Sequence, residues 1–148
     1  MENKMELKFC ALSQNESFAR ATVAGFCLQA NPTLDEITDI KTAVSEAVTN
    51  CIVHAYPMRK QGEIVLTAVL NEKNVTITIR DFGVGIKDID RARQPFFTTK
   101  PMEERSGMGF TVMESFMDSL KIENLKNGGI LVTMSKTFSQ NEENLKIG

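Results

Sequence analysis

Glu46 and Asn50 stand four residues apart in a stretch that reads as helix, so both side chains rise from neighbouring turns into one patch. A carboxylate placed there can take a proton from an attacking hydroxyl or water, and an amide oxygen can serve a hard cation such as magnesium. Taken alone, the pair reads equally well as solvated helix surface, and what raises its interest is a second set of residues. Asp81 closes a segment of alternating apolar residues and is followed by Phe82-Gly83-Val84-Gly85-Ile86, where the glycines let the backbone turn sharply and come close to a ligand. Gly107-Met108-Gly109 then opens another helical pattern. Backbone N–H groups and the positive end of a helix dipole at such a start are the ordinary means of cradling a phosphate. A lone GxG also serves caps and tight turns.

Other nucleotide motifs are missing. The chain has no GxxxxGK[ST] loop, and neither GxG extends to a GxGxxG after a strand. Asp81-Phe82-Gly83 matches a protein-kinase tripeptide, but the glycine-rich loop, strand lysine and HRD loop that belong with it are absent. With 148 residues and 42% hydrophobic content the sequence suits one domain, residues 1–148, with a core of its own. A net charge of −2 without a basic run argues against nucleic acid as a partner. The first residues lack a signal-peptide core, and no apolar stretch nears the ~20 residues that span a bilayer, so no membrane partner and a cytoplasmic location are expected. Cys10, Cys27 and Cys51 show no ligand spacing and read as reduced apolar fillers.

The elements that position these groups follow from periodicity. Met5, Leu7, Phe9 and Ala11 alternate with polar residues as a half-buried strand. A helix follows, capped by Asn15 or Ser17 and broken by Asn31-Pro32, with Phe18, Ala19, Thr22, Val23, Phe26 and Leu28 as its apolar or small positions. Thr33-Leu34-Asp35-Glu36 is a capping box opening a second helix. On it Ile37, Ile40, Val44, Ala47, Val48, Cys51 and Ala55 fall within roughly 80–90° as the core stripe, with Glu46 and Asn50 well off it. Gly62 to Leu70 and Val75 to Asp81 predict a hairpin joined by Asn71-Glu72-Lys73-Asn74. Residues 87–106 are charged and aperiodic, a lid-type loop. Phe110, Met113, Phe116, Met117 and Leu120 line one side of a third helix, and two strands joined by Lys126-Asn127-Gly128-Gly129 end at Phe138. The polar tail, about 139–148, has no pattern. The predicted fold is a two-layer α/β sandwich: a mixed, mostly antiparallel sheet with helices on one face and a lid.

The segments Glu46 to Tyr56, Asp81 to Gly85 and Ser106-Gly107-Met108-Gly109 resemble, in order and spacing, the N box and two glycine boxes of the ATPase/kinase superfamily containing gyrase B, heat-shock chaperones and sensor histidine kinases. Gln94-Pro95-Phe96-Phe97-Thr98-Thr99-Lys100 is similar to the ATP lid of its kinase branch. The likeness covers nearly the whole chain, and a free-standing domain with this N box most resembles the anti-sigma serine kinases of spore-forming bacteria.

The resemblance implies a Bergerat-type ATP-binding fold with ATP and Mg²⁺ as cofactors. It gives Asn50 to the magnesium ion, Asp81 to the adenine amino group with Thr133 beside it, and Gly83 and Gly85 to close packing of base and sugar. Ser106, Gly107 and Gly109 fall to the phosphates, Arg105 to stabilisation of transferring charge or to plain solvation, and Glu46 to the general base. His54 reads as a packing residue. Arg20, the charged residue of an otherwise apolar or small-residue helix, reads as a partner contact or as a snorkelling side chain. The implied activity is a protein serine kinase that also sequesters a sporulation sigma factor, with an anti-anti-sigma protein as substrate and a homodimer as its state. A stress-response anti-sigma kinase and an ATP-gated binding switch with slow hydrolysis remain open beside it.

Overall fold

The computed structural model describes residues 2–56, 62–87, 89, 93 and 109–139. They form β1 (Glu2–Cys10), α1 (Asn15–Cys27), α2 (Leu34–Asn50), β2 (Glu63–Asn71), β3 (Asn74–Asp81), α3 (Gly109–Phe116), β4 (Ser119–Asn124) and β5 (Ile130–Thr137). The strands make one sheet in the order β1-β2-β3-β5-β4, and each pairing is antiparallel. The expected sandwich is therefore present, with no parallel pair among the described strands.

Strand alternation decides which face carries the helices. Ile64, Leu66 and Ala68 of β2, Val75, Ile77 and Ile79 of β3, and Val132 and Met134 of β5 are all buried on one face. Against them lie Ala19, Val23 and Cys27 of α1, Ile40, Val44, Ala47 and Val48 of α2, and Met113 of α3. The predicted stripe of α2 is thus the buried one, widened by Ala43, with Ile37 only partly covered. The parity of β3 also puts Asp81 on the core face, where the pattern would call for an apolar residue. It is the buried charged residue of the described core, at 4% exposure.

Several local expectations are corrected. Neither Asn15 nor Ser17 caps α1: Gln14 stands at the cap with helical backbone, and the Asn15 amide instead donates to the Cys10 carbonyl at 2.9 Å, tying the helix start to β1. Phe18 and Leu28, placed among the apolar positions of that helix, are exposed. α2 does not stay α-helical to Ala55 but continues as a π-helical turn, Cys51–Ala55. α3 stops at Phe116, and Leu120 lies on β4, paired with Met134 of β5, because the ladder to β5 claims that backbone from the Asp118 N–H to the Ser135 carbonyl, 2.9 Å, onward. The lid expectation (87–106) and the tail (139–148) fall mostly outside the described residues.

The capping box at Thr33 forms as read: the Thr33 hydroxyl accepts from the Glu36 N–H at 3.1 Å, and Glu36 accepts from the Thr33 N–H at 2.9 Å. Glu36 also accepts from the Ser139 N–H at 2.8 Å, which fastens the chain beyond β5 to the start of α2. Burial pushes the Glu36 carboxyl up, but the hydrogen bonds from Thr33 and Ser139 outweigh it and hold the group below its ordinary value. A lowered folded value means stability that is present above the ordinary glutamate range and lost as pH falls through the folded one. Thr33→Ala should cost about 1 kcal/mol in urea unfolding. Glu36→Gln should flatten the loss of stability on the acid side, measured as urea midpoints between neutral and acid pH.

Candidate functional site

The Asp81 carboxylate is held from three directions. Its Oδ1 accepts from the backbone N–H groups of Gly83, at 3.0 Å, and Ile130, at 3.1 Å, so the turn that follows β3 and the first residue of β5 are both fastened to one oxygen. Its Oδ2 faces the Cys51 thiol, which donates at 3.7 Å from the π-helical turn. Burial pushes the Asp81 carboxyl up, and the two amides, the thiol and the neighbouring Arg80 charge partly offset it. Burial, with the Asp81 charge added, pushes the Cys51 thiol well up, so it stays protonated and serves as donor. All three cysteines are free, as read, and Cys27 and Cys51 are buried in the core; the filler reading fails for Cys10 and is incomplete for Cys51. Cys10 is exposed, and Cys51 makes a polar contact in the site.

The glycine turn packs on that same π-helical segment. Val84 donates its N–H to the Ala55 carbonyl at 3.1 Å, and a Cβ on Gly83 would lie 2.0 Å from that carbonyl oxygen. Gly85 has φ +76°, and an added Cβ would meet Asn124 Oδ1 at 2.8 Å. The expected reason for these two glycines was close approach of a ligand; the space they leave is instead taken by the protein's own backbone and by Asn124. Asn124 reads Ile86 like a strand neighbour, accepting from its N–H at 3.0 Å and donating to its carbonyl at 2.7 Å. The Tyr56 hydroxyl accepts from the Phe82 N–H and donates to the Glu63 carbonyl, both at 2.6 Å. Arg80 lies over the Phe82 ring, 4.4 Å from its centroid.

Glu46 and Asn50 are half-buried on α2, off its core stripe as expected. α2 is flanked by α1 and α3, and Gly109, the first residue of α3, is buried. Thr133 is not brought to Asp81. It pairs with Thr78 and Lys121 on the opposite face of the sheet, because Ile130, Val132 and Met134 take the core-facing parity of β5. The β5 residue next to Asp81 is Ile130, through its backbone. Arg105, Ser106 and Gly107 lie outside the described residues, as does the Gln94 to Lys100 segment. His54 sits within the π-helical turn.

Arg20 reaches across from α1 to α2, donating to Glu16 at 3.2 Å and to the Ser45 hydroxyl at 3.3 Å. With Thr38, Lys41, Thr42, Ser45 and Glu46 it lines an open cleft of about 340 Å³. Glu46 thus borders both the Asn50 patch and a cleft that holds Arg20, a proximity invisible in sequence.

Among the described residues no group of three or more His, Cys, Asp or Glu could hold a metal. A magnesium ion bound mainly by phosphates and water needs only one or two protein oxygens, which the Asn50 amide can supply. Asp81 suits a nucleotide base: it is a buried carboxylate with one oxygen taken by two amides and the other met by a weak thiol donor, so an amino group reaching it would gain a charge-assisted bond. Sequence reasoning missed Cys51, Tyr56, Asn124 and the Ile130 amide. Only the alternation that carries Asp81 to the core face could have signalled a partner for it.

The model of the histidine kinase-like ATPase domain family matches residues 11–136. The anti-sigma F factor of Bacillus licheniformis is 54% identical over 142 residues, spanning 96% of this chain and 97% of its own length. That of Bacillus subtilis (strain 168) is 53% identical with the same coverage. That of Clostridium acetobutylicum is 53% identical over 143 residues, 97% and 99% of the two chains. Among solved structures, the catalytic domain of the histidine kinase ThkA superposes with a TM-score of 0.57 over 94% of this chain and 99% of that one; at 17% identity this likeness is one of fold.

Gly83→Ala should force the turn off the Ala55 carbonyl and lower stability by about 1–3 kcal/mol, the range of an overpacked site. Urea unfolding of the variant against the parent checks this; an unchanged midpoint would mean that the turn yields freely.

Proposed function

The chain belongs to the histidine kinase-like ATPases and, within them, to the anti-sigma F factors, and on that premise we propose that it holds a sporulation sigma factor and transfers phosphate from ATP to a serine of the anti-anti-sigma protein. The observation that carries the nucleotide half is the Asp81 carboxylate, buried and only weakly met at Oδ2 by Cys51, beside the turn that packs on the end of α2. A buried acceptor of that kind favours the exocyclic amino group of adenine. Magnesium, held by Asn50 and the phosphates, would neutralise charge on the transferring group. Gly109 at the start of α3, with Ser106 and Gly107 before it in sequence, would bind the phosphates, and Arg105 would stabilise the charge that develops in transfer.

Glu46 is the general base of this reading. It sits one helical turn before Asn50 and also lines the cleft shared with Arg20 and Lys41, which supports an acceptor hydroxyl that arrives on another protein from that side. Arg20 then serves as a partner contact. The homodimer is assigned to β1, which among the described strands pairs only with β2. The alternating charges of its exposed face are self-complementary about Met5: a second copy adding antiparallel along its other edge would set Lys4 opposite Glu6 and Glu2 opposite Lys8. Sedimentation of the purified chain reports on that pairing. No described helix is long and apolar enough to cross a membrane, and a cytoplasmic location accords with the proposed partners.

Incubation with labelled ATP, magnesium and the candidate antagonist should put acid-stable label on the antagonist. Acid-labile label, or none, would overturn serine transfer. Glu46→Gln should lower the rate by about 10²–10⁴-fold while leaving ATP affinity within error; undiminished transfer would remove Glu46 from the role of base. In calorimetry with and without magnesium, Asn50→Ala should lose most of the metal's contribution to ATP affinity, and equal magnesium dependence in variant and parent would rule out the ligand role.

A further inference from the structure

Asp81 is fixed at Oδ1 by two backbone amides, those of Gly83 and Ile130. Two bonds to one oxygen hold that atom in place and, through the planar carboxylate and its bond to Cβ, set the torsion about Cβ–Cγ to within the libration that such bonds allow. A third contact, on Oδ2, narrows that libration and takes one of the oxygen's acceptor directions. Among the described residues the side chain that makes this contact is Cys51, 3.7 Å away and buried. The core-facing residues of β5 nearest the turn, Ile130 and Val132, are apolar and offer no hydroxyl, while Thr133 stands on the far face. We propose that Cys51 is a positioning residue for nucleotide-base selection: its thiol occupies one lone pair of Asp81 Oδ2 and so aims the other at the amino group of the base.

The choice of a thiol has a physical consequence. An ammonium donor would bind Oδ2 strongly and compete with the incoming amino group, whereas S–H, weaker still than a hydroxyl, orients the carboxylate without satisfying it. Cys51 is the residue that follows Asn50, so the helix end that offers an oxygen to the metal also sets the carboxylate that reads the base. Along one and a half turns from Glu46 to Cys51 the chain would carry the base catalyst, the metal ligand and the residue that sets base selectivity.

The inference rests on the ATP reading of Asp81, and the test separates the two. Affinities for ATP and for inosine triphosphate, which carries an oxo group where adenine has its amino group, are measured by calorimetry in the parent, Cys51→Ala and Cys51→Ser. The parent should prefer ATP by about tenfold or more, the span of a hydrogen bond to a charged group. Cys51→Ala should reduce that preference by about three- to tenfold, as for loss of one neutral hydrogen bond, and Cys51→Ser should restore most of it. A role in packing alone would weaken both nucleotides equally and leave their ratio unchanged, and that outcome overturns the inference alone. A parent that binds the two alike overturns the adenine role of Asp81 and the inference with it. Should Cys51→Ala fail to fold, the infrared S–H difference band on adding ATP to the parent decides the matter. A shift that is absent in Cys51→Ser supports the positioning role, and no shift overturns it.

Discussion

A carboxylate on the inward face of a β-strand sets the terms for the end of the sheet at which it lies. Bringing an ion of that kind out of water costs several kcal/mol even after relaxation, and hydrogen bonds to a charged group return about 1.5–3 kcal/mol each. The two amides that reach Asp81 Oδ1 therefore offset much of that cost without removing it, in keeping with a carboxyl that burial still holds above its ordinary value. Both amides belong to backbone at the points where the chain changes direction. The interaction that makes the charge tolerable also fixes the glycine turn and the start of β5.

The rest of the site is organised around keeping that turn in place. Its outward swing is blocked by the Val84 to Ala55 hydrogen bond, by the Tyr56 hydroxyl bridging Phe82 and Glu63, and by Asn124 bonding both polar groups of the Ile86 backbone. These contacts come from the π-helical turn with the residue that follows it and from β4, and each uses a main-chain group of the turn. A loop held in this way keeps its shape before any ligand arrives, and preorganisation of that sort lowers the cost of binding. The π-helical turn at Cys51–Ala55 contributes the thiol and the Ala55 carbonyl together, which accords with the tendency of such turns to occur at functional positions.

How much of this was legible in the sequence depends on the range of the cause. The capping box at Thr33, the hairpin between β2 and β3, and the stripe of α2 were read correctly because each is written in residues a few places apart. The caps expected at Asn15 or Ser17 were wrong because the Asn15 side chain is drawn to Cys10, at the end of the preceding strand. Leu120 fits a helical period as well as a strand one, and its partner Met134 on β5 decides between them. The placement of Thr133 beside Asp81 failed for a simpler reason: a shift of one residue along a strand changes the face, and the resemblance that suggested it carried no register.

By itself the sequence determined which residues could do chemistry and the order in which the chain presents them: a glutamate and an asparagine one helical turn apart, an aspartate at the end of an alternating strand, and glycines after it. It also determined the layers, since hydrophobic period is a local property of the chain. Only the tertiary structure decided what those residues touch. The thiol of Cys51 is 30 residues from Asp81 along the chain, the amide of Ile130 is 49 away, and Arg20 is 25 from Ser45 across the cleft that Glu46 shares. Contacts over such separations depend on how sheet and helices pack against each other. A single sequence records no trace of that packing beyond the parity that turns Asp81 inward.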